Sequence, residues 1–220
     1  MKGSERNKIV INLGCGKTRI PRSIGVDRAK IDNFVDVIHD LEKLPYPFED
    51  NFADEIHCYH VLEHLTQPIK KLEEIHRILK PGGKLYLRVP HFSSMMAFTD
   101  LTHLRPFGYA SFNCFEKNSC HNFYTNIRFR IVSNKIKYFG FYPNNGVYEK
   151  YIQPNRYSFP VRLFVRLVNS LINLSPTFFE RFWCYYVGGA SEISLILEKI
   201  EASQGAPRGK RGYNLEKYSD

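Results

Sequence analysis

Two short motifs in the first thirty residues have the residue types and spacing of a ligand site. Gly14-Cys15-Gly16 directly follows an apolar run at residues 9–13, and Asp27 ends a shorter apolar run at 24–26. Glycines at the end of a buried strand let a ligand approach the backbone closely, because no Cβ stands in the way. A carboxylate at the tip of the next strand can accept hydrogen bonds from a ribose diol. The two motifs therefore indicate a nucleoside-bearing cofactor lying across two strand ends.

Several kinds of nucleotide site share parts of this pattern. The dinucleotide fingerprint G-x-G-x-x-G requires a third small residue where the chain has Arg19, and this difference disfavours a nicotinamide or flavin enzyme. Residues 16–18 imitate the end of a phosphate-binding loop, but that motif needs a glycine where the chain has Ile11. An S-adenosylmethionine site and a plain tight turn between core strands are the alternatives that these residues leave open.

Residues 12–16, N-L-G-C-G, together with Asp27 resemble the first motif and the ribose-binding acid of class I S-adenosylmethionine-dependent methyltransferases, in their broad small-molecule group. Two longer runs strengthen the resemblance: L-P-Y-P-F-E-D-N-F-A-D-E-I at 44–56 and L-E-E-I-H-R-I-L-K-P-G-G-K-L-Y-L-R-V-P at 72–90. The resemblance covers about residues 8–110 and, weakly, the last strand. It implies an α/β fold with a doubly wound, mostly parallel seven-stranded sheet, an antiparallel edge strand and S-adenosylmethionine as cofactor.

The same resemblance implies which residues contact the cofactor. They are Asn12, Gly14, Cys15, Gly16, Asp27, Arg28, Asp40, Leu41 and His60. Asp40 would accept a hydrogen bond from the adenine amino group, although an aspartate here also suits capping of the following turn. Two features depart from the family pattern. Asn12 stands where the family often has an acid, and the ten residues 14–23 are too few for the usual crossover helix. Lys17 and Arg19 are the candidates to replace the N-terminus of that helix at the carboxyl end of the cofactor.

His60, Glu63 and His64 form an H-x-x-E-H run, which is also the inverted zinc-peptidase motif. That motif requires both histidines on one helix. Here His60 directly follows an apolar strand, and T-Q-P at 66–68 predicts a later helix start. A metallopeptidase is therefore disfavoured. The resemblance implies instead that His60 lines the cofactor site and that Glu63 and His64 are largely structural.

The candidate catalytic residues are His91, His103 and Arg105. His91 follows a strand end, so the topology turns it towards the ligand edge of the sheet. The other two belong to a D-x-T-H-x-R-P-F run at 100–107, which resembles a stretch in many small methyltransferases. A histidine could deprotonate a hydroxyl acceptor, and an arginine could hold an anionic one. The open alternative is that Asp100, His103 and Arg105 only pin this loop to itself.

No metal site is expected from the sequence. Five residues have side chains of types that can bind a metal ion: His91, His103, Cys114, Cys120 and His121. Their spacings match no metal-ligand pattern.

Hydrophobic periodicity predicts the elements that position these residues. We expect strands at 9–13, 24–26, 34–38, 55–59, 84–89, 128–139 and 192–200. We expect a helix over 68–79, with Thr66 as its N-cap and K-P-G-G at 80–83 as its stop. One domain is expected over 1–200, with a helical insertion at 141–190 that contains helices over 161–174 and 177–186. Residues 201–220 are expected to be disordered.

The net charge of +9 is unevenly distributed over the 220 residues. Residues 1–116 carry +1, residues 117–190 carry +8, and residues 191–220 carry zero. The middle stretch also holds 18 of the 32 aromatic residues, and such a field attracts anionic partners. The insertion is therefore predicted to cover the site or to form a homodimer surface. Contact with an anionic membrane, or cover for a lipid-linked acceptor, is the alternative.

Other composition features concern location and partners. Five cysteines without a C-x-x-C pair indicate a reducing compartment, and residues 1–8 do not resemble a signal peptide, so a cytoplasmic location is expected, with a peripheral membrane location as the alternative. Nucleic acid is a disfavoured partner. The amino-methylating families carry N/D-P-P-Y/F after the fourth strand, where this chain has C-Y-H-V at 58–61.

These observations together predict methyl transfer from S-adenosylmethionine to a small-molecule, glycan or lipid-linked acceptor. The acceptor atom stays open between oxygen, nitrogen and carbon. A non-catalytic binding module that keeps the fold is one alternative, and a nucleic-acid methyltransferase is another.

Overall fold

The computed structural model describes residues 8–18, 20–120, 122–138 and 159–201. The strands are β1 (Val10–Leu13), β2 (Ser23–Asp27), β3 (Val37–Ile38), β4 (Ala53–Tyr59), β5 (Leu79–Pro90), β6 (Arg128–Lys137) and β7 (Glu192–Ile200). The helices are α1 (Pro68–Ile78), α2 (Met96–Thr99), α3 (Phe159–Ile172), α4 (Pro176–Phe178) and α5 (Cys184–Tyr186). A π-helical turn, Phe179–Trp183, joins α4 to α5, and Leu62–His64 forms a 3-10 turn.

Seven strands form one sheet in the order β3-β2-β1-β4-β5-β7-β6. The five strands from β3 to β5 pair in parallel, and β7 runs antiparallel between β5 and β6. The chain moves outward in one direction from β1 to β3 and then in the other direction from β4, so the strand order reverses between β1 and β4. Ligands of open α/β sheets bind beyond the carboxyl ends of the strands at such a reversal. The predicted fold class is confirmed.

The two faces of this sheet differ in polarity. One face is apolar, because side chains alternate along a strand and every second residue of the central strands is a buried hydrophobic residue. These residues are Ile11, Leu13, Ile56, Cys58, Leu85, Leu87, Ile193, Leu195 and Leu197. Leu72, Ile75 and Ile78 of α1 belong to the same buried cluster. The opposite face carries the cross-strand row Asn12, His57 and Tyr86, in which the two rings stack 4.7 Å apart.

The connections between β1, β2, β3 and β4 contain turns and no helix among their described residues. The expectation of a first connection too short for a crossover helix is thus confirmed. Asn12 holds this connection in place, because its Nδ2 donates to the Thr18 carbonyl at 3.0 Å. The first connection is therefore short and is tied directly to β1.

Three local predictions differ from the structure. β3 is shorter than predicted, and β5 begins directly after α1, so residues 80–83 lie within a strand whose pairing with β4 shifts register. The prediction that Thr66 caps α1 was wrong. Gln67 occupies the N-cap position with a φ of 48° and no side-chain cap. Thr66 instead donates its N–H and its hydroxyl to the Glu42 carboxylate, at 2.6 and 2.7 Å.

Helix α3 covers the exposed edge of the sheet at β6. Asn173 accepts a hydrogen bond from the Ile136 N–H at 2.9 Å and donates to the Ile136 carbonyl at 2.6 Å. Asn169 accepts from the Tyr138 N–H at 2.7 Å. An edge strand presents unpaired backbone groups, and these two amides pair with those of Ile136 and Tyr138 at its end.

Parts of the predicted insertion and tail lie outside the described residues, namely 139–158 and 202–220. Within the part of the chain that the structure does describe, none of the helices has the length and apolar character needed to cross a bilayer.

Candidate active site

The turn after β1 brings the backbone to the ligand edge of the sheet. Gly14 has a φ of +61°, and a Cβ at this position would lie 2.3 Å from Cγ2 of Val61. Gly16 has a φ of +50°, and a Cβ there would meet no described atom within 4 Å. Both positions favour glycine through their backbone conformation. Gly14 is required by the packing of the fold, whereas Gly16 borders open space.

Asp27 faces the same turn from the end of β2. Its Oδ2 accepts a hydrogen bond from the Gly16 N–H at 2.9 Å, and its Oδ1 accepts one from the Arg28 N–H at 2.8 Å. Each carboxylate oxygen has a further lone pair. The carboxylate is therefore fixed in orientation and can still accept hydrogen bonds from a diol. Arg28 contributes its backbone to this arrangement.

Asp40 and Leu41 follow β3. Asp40 Oδ1 accepts a hydrogen bond from the Glu42 N–H at 3.0 Å, and the Asp40 carbonyl accepts one from the Lys43 N–H at 2.8 Å. This is the turn-capping geometry that the sequence left as an alternative, and it engages one carboxylate oxygen. Leu41 is buried, and its carbonyl accepts from the Tyr46 hydroxyl at 3.1 Å.

Cys15 and Asn12 support the glycine turn from the protein side. The Cys15 N–H donates to the Val26 carbonyl at 3.0 Å, and its buried Sγ donates to the Phe34 carbonyl at 3.4 Å. Asn12 donates to a carbonyl, which an ionised acid cannot do. The departure from the family pattern at Asn12 thus has a structural reason. Lys17 is exposed at this turn, and Arg19 lies outside the described residues.

His60 follows β4 and lies in a buried ion cluster. Its Nε2 is 3.1 Å from Glu192 Oε2, and its Nδ1 is 3.3 Å from Glu63 Oε1. Both glutamates are fully buried. Glu192 also pairs with Arg88 Nε at 3.1 Å and with Lys137 Nζ at 3.3 Å. These contacts hold His60 in a left-handed backbone conformation, with a φ of 55°, that side-chain-bearing residues rarely adopt.

The cluster shifts the pKa values of its members in opposite directions. Burial lowers the pKa of His60, but the hydrogen bond to Glu192 and the nearby Glu63 outweigh it and raise that pKa to about 9. Burial raises the pKa of Glu192, but the hydrogen bond from His60 and the charges of Arg88 and Lys137 lower it to about 2. At neutral pH His60 is therefore an imidazolium. It can donate hydrogen bonds to a ligand but cannot act as a base.

His91 lies at the end of β5 and is completely buried. Its Nδ1 accepts a hydrogen bond from the Ser93 N–H at 3.2 Å and lies 2.6 Å from the Ser93 hydroxyl. Its Nε2 is 3.1 Å from Glu180 Oε1, on the π turn. Glu180 also accepts a hydrogen bond from the Tyr109 N–H. Both ring nitrogens are thus engaged in contacts that join β5 to the insertion, and the catalytic role of His91 stays a prediction.

The D-x-T-H-x-R segment packs against the loop that follows β4. The Leu104 N–H donates to the Glu63 carbonyl at 2.8 Å, and the Arg105 guanidinium donates to the Leu65 carbonyl. The rings of His64 and His103 meet edge to face, 4.6 Å apart. Hydrogen bonds therefore hold this segment in place, as in the alternative that the sequence left open. They join it to the loop after β4 and not only to itself.

The expected site residues fall into two groups in space. One group surrounds the ends of β1, β2 and β3: Asn12, Gly14, Cys15, Gly16, Asp27, Arg28, Asp40 and Leu41. The other follows β4 and β5: His60, His91, His103 and Arg105. Sequence reasoning missed Glu192 and Glu180, which complete the second group. A glutamate opening the apolar run at 192–200 was the available signal for Glu192.

Parts of the sequence match known proteins. Residues 20–87 match a family model described as a methyltransferase domain. The ubiquinone/menaquinone biosynthesis C-methyltransferase UbiE of Coxiella burnetii is 30% identical over 81 residues, which cover 37% of this chain and 32% of that protein. The UbiE protein of Chromobacterium violaceum is 44% identical over 48 residues, covering 22% and 19%. The matched part spans about a third or less of these curated relatives.

Solved structures share the fold over most of the chain. A chain of the complex between the Haloferax volcanii Trm112 methyltransferase activator and a methyltransferase aligns with 90% of this chain and 84% of its own length. Its TM-score is 0.51 at 16% identity. A structure described as a methyltransferase from Bacillus halodurans C-125 aligns with 89% of this chain and 94% of its own length, with a TM-score of 0.50 at 14% identity. At this level of identity the likeness shows the fold.

Proposed function

We propose that this chain transfers a methyl group to a small-molecule acceptor. Its family match and its fold are those of a class I S-adenosylmethionine-dependent methyltransferase. One observation carries the proposal. The Asp27 carboxylate is fixed by the Gly16 N–H at 2.9 Å, beside a glycine that borders open space. This arrangement lies where the strand order of the sheet reverses, which is where such sheets bind nucleotides.

The cofactor half of the site follows from these contacts. The sulfonium of S-adenosylmethionine supplies the electrophilic methyl group. Asp27 accepts hydrogen bonds from the ribose hydroxyls, and the Asp40 Oδ2, on the side of the carboxylate away from the Glu42 N–H, accepts one from the adenine amino group. The backbone of residues 14–16 runs alongside the cofactor. Lys17, exposed at the same turn, pairs with its carboxylate.

The acceptor half lies beyond the ends of β4 and β5. His103 Nδ1 is 3.3 Å from the Ala97 carbonyl, which can only accept a hydrogen bond, so in the neutral ring the proton is on Nδ1 and the lone pair is on Nε2. That lone pair accepts the proton of an acceptor hydroxyl. Arg105 donates one hydrogen bond to Leu65, and its remaining N–H groups are suited to an anionic acceptor. His91 supports this half through Glu180.

An apolar cavity supports an acceptor of small-molecule size. It has a volume of about 330 Å³ and lies between the start of α1 and the chain that follows Arg105. Its lining includes Pro68, Leu72, Phe107 and Phe112. Sites of this size hold small ligands with a few polar groups at one end. The apolar part of an acceptor fits here, with its polar end at residues 103–105.

A peripheral membrane contact is a second proposal for the insertion, and it would suit a lipid-linked acceptor. Helix α3 and the helices after it leave large apolar side chains exposed: Phe159, Leu163, Phe164, Leu167, Leu171, Phe178, Phe182, Tyr185 and Tyr186. The surrounding stretch has a net charge of +8, and basic helices with aromatic residues favour anionic bilayers. Sedimentation with anionic vesicles at moderate salt tests it. An absence of binding would leave a cap or a homodimer contact as the role of these helices.

The transfer reaction is tested with S-adenosylmethionine labelled in its methyl group. The wild type, Asp27→Asn, His103→Gln and the exposed control Glu49→Gln are each incubated with small-molecule, membrane and RNA extracts. We expect label in the small-molecule or membrane pool, at least tenfold less with Asp27→Asn or His103→Gln, and no change with Glu49→Gln. Label in RNA would contradict the proposed acceptor class. Cofactor binding without transfer to any pool would favour a non-catalytic binding module.

A further inference from the structure

Three side chains that are separate in the sequence converge beside the acceptor half of the site. Glu63 and His64 belong to the turn after β4, and His103 belongs to the segment that packs on it. One donor atom from each lies within 4.8 Å of the other two. We propose that these three residues bind one divalent transition-metal ion. The sequence led us to expect no metal site, so this proposal departs from that expectation.

The carboxylate of Glu63 is the first argument. It is completely buried, and within the described residues neither of its oxygens accepts a hydrogen bond. Oε1 lies 3.3 Å from Nδ1 of the His60 imidazolium, which offsets part of the carboxylate charge. Oε2 has no hydrogen-bond donor among the described residues. A buried carboxylate with unfilled lone pairs is costly unless a cation or donor satisfies it. A metal ion between Glu63 and the two neighbouring imidazoles would do so.

The tautomer of His64 is the second argument. Its Nδ1 is 2.8 Å from the Thr102 hydroxyl, and that hydroxyl donates its own hydrogen to Asp100 Oδ1 at 2.7 Å. The hydroxyl oxygen must therefore accept from His64, which places the ring proton on Nδ1 and the lone pair on Nε2. A carboxylate that orients a metal-binding histidine through its other nitrogen is a common feature of metal sites.

The orientation of His103 follows the same pattern. Its Nδ1 faces the Ala97 carbonyl at 3.3 Å, so its Nε2 also carries the lone pair. Asp100 Oδ2 lies 3.8 Å from this Nε2. Hydrogen bonds at Nδ1 thus leave the Nε2 lone pair of both histidines available. Asp100 contacts His64 through Thr102 and lies close to Nε2 of His103.

The donor set selects the class of metal. Two imidazole nitrogens and one carboxylate suit Zn²⁺ and other first-row transition metals, whereas Mg²⁺ and Ca²⁺ prefer oxygen ligands. Tetrahedral bonds of about 2.1 Å separate ligand atoms by about 3.4 Å. Ligand atoms that now lie up to 4.8 Å apart must therefore approach one another by up to about 1.4 Å on binding. His64 and His103 are partly exposed and can make this movement. Three protein ligands leave a coordination position open, as in catalytic zinc sites.

An open position beside the acceptor half suggests how the ion is used. If the proposed transfer reaction is correct, His103 is a ligand and not the base whenever the ion is bound, because its Nε2 lone pair is then shared with the metal. The ion would instead lower the pKa of an acceptor hydroxyl at its open position, and the proton would pass to solvent. This use rests on the proposed function, whereas metal binding itself does not. The two are separated by measuring binding in the absence of any cofactor or acceptor.

The experiment is equilibrium dialysis of metal-free protein against Zn²⁺ and, separately, Co²⁺, whose ligand-field spectrum reports imidazole coordination. We expect one ion per chain. We expect the dissociation constant of the ion to rise at least tenfold in each of three variants: Glu63→Gln, His64→Gln and His103→Gln. His57→Gln, a histidine on the polar face of the sheet away from the cluster, is the matched control and should bind like the wild type.

Two outcomes would overturn the proposal. One is no stoichiometric binding by the wild type at millimolar metal, and the other is equal binding by the wild type and the three variants. Circular dichroism with a chelator checks that each variant is folded. If Glu63→Gln does not fold, the partly exposed His64 and His103 variants still decide the question. Loss of methyl transfer with intact metal binding would count against the proposed function and not against the metal site.

Discussion

The two halves of the ligand edge are built in different ways. In the cofactor half, at the ends of β1 to β3, short-range contacts predominate: Gly16 and Asp27 are 11 residues apart, and Asn12 and Thr18 are 6 apart. In the acceptor half, after β4 and β5, the contacts join distant segments. His60 and Glu192 are 132 residues apart, and His91 and Glu180 are 89 apart. The first half uses backbone groups and glycines, whereas the second uses buried charges.

This difference has consequences for how each half responds to change. Removing a charge from the acceptor half leaves its buried partners uncompensated, which costs stability. Changing a side chain at the cofactor turn acts on local conformation and on the space for the ligand, which costs affinity. The following experiments compare the two halves, beginning with the largest expected effect.

Glu192→Ala should destabilise the protein by about 3–5 kcal/mol, because Arg88, Lys137 and His60 would lose their shared buried partner. The matched control is Glu198→Ala on the same strand, whose partner Arg130 is largely exposed. Such surface pairs contribute about 0–1 kcal/mol. Urea unfolding monitored by circular dichroism measures both variants. Equal losses of unfolding free energy in the two variants would show that the buried cluster does not make the acceptor half more sensitive to the removal of a charge.

Stability should also fall in acid because of the same glutamate. The pKa of Glu192 is about 2 in the folded protein and 4.5 as an ordinary glutamate. Its contribution is therefore complete above about pH 4.5 and is lost as the pH falls towards 2, by roughly 3 kcal/mol in total. Urea unfolding at several pH values between 3 and 6 measures this slope. A slope in Glu192→Gln as steep as in the wild type would assign the acid sensitivity to other groups.

The two glycines of the cofactor turn should respond differently to alanine. Gly14→Ala should cost about 2–3 kcal/mol of stability, since it adds a close contact with Val61 to the strain of a positive φ. Gly16→Ala should cost only about 1 kcal/mol, because its Cβ enters open space. Calorimetric titration with S-adenosylhomocysteine should nevertheless show that Gly16→Ala binds at least tenfold more weakly. Wild-type affinity in Gly16→Ala would place the ligand elsewhere.

His91→Asn should have a moderate effect on stability and the smallest effect of this series on cofactor affinity. The shorter side chain cannot reach both Ser93 and Glu180, and the loss of buried hydrogen bonds should cost about 1–2 kcal/mol. Thermal unfolding measures that cost. Affinity for S-adenosylhomocysteine should stay within about twofold, because His91 lies in the acceptor half. A large drop in affinity would mean that the two halves are coupled more tightly than their contacts indicate.

The comparison also explains what could be predicted from the sequence. The sheet and the position of the glycine turn beside Asp27 were accessible because their signals are local: the glycines, Asp27 and the apolar runs lie next to the positions they define. Even there, Asn12 required the structure, since its partner is a backbone carbonyl that no sequence pattern names. Thr66 failed as a cap because Glu42, 24 residues away, takes its donors.

The acceptor half could be predicted only as a set of separate residues. His91 and His103 were identified by their positions, but the roles of His91 and His60 depend on Glu180 and Glu192, which come from the insertion and the last strand. Glu192 and Glu63 keep His60 protonated against the effect of burial, and Glu192 reaches His60 only in the assembled sheet. The H-x-x-E-H spacing could be seen in the sequence, but the approach of Glu63 and His64 to His103 could not.

The central claim, that the Gly16–Asp27 turn binds S-adenosylmethionine, is tested most directly by calorimetric titration of wild type and Asp27→Asn with S-adenosylhomocysteine. Asparagine keeps the size of the side chain and removes the charge that the ribose hydroxyls would meet. A hydrogen bond to a charged group contributes about 1.5–3 kcal/mol, so we predict stoichiometric binding by the wild type and about 10- to 100-fold weaker binding by the variant. No binding by the wild type, or equal binding by both proteins, would contradict the account.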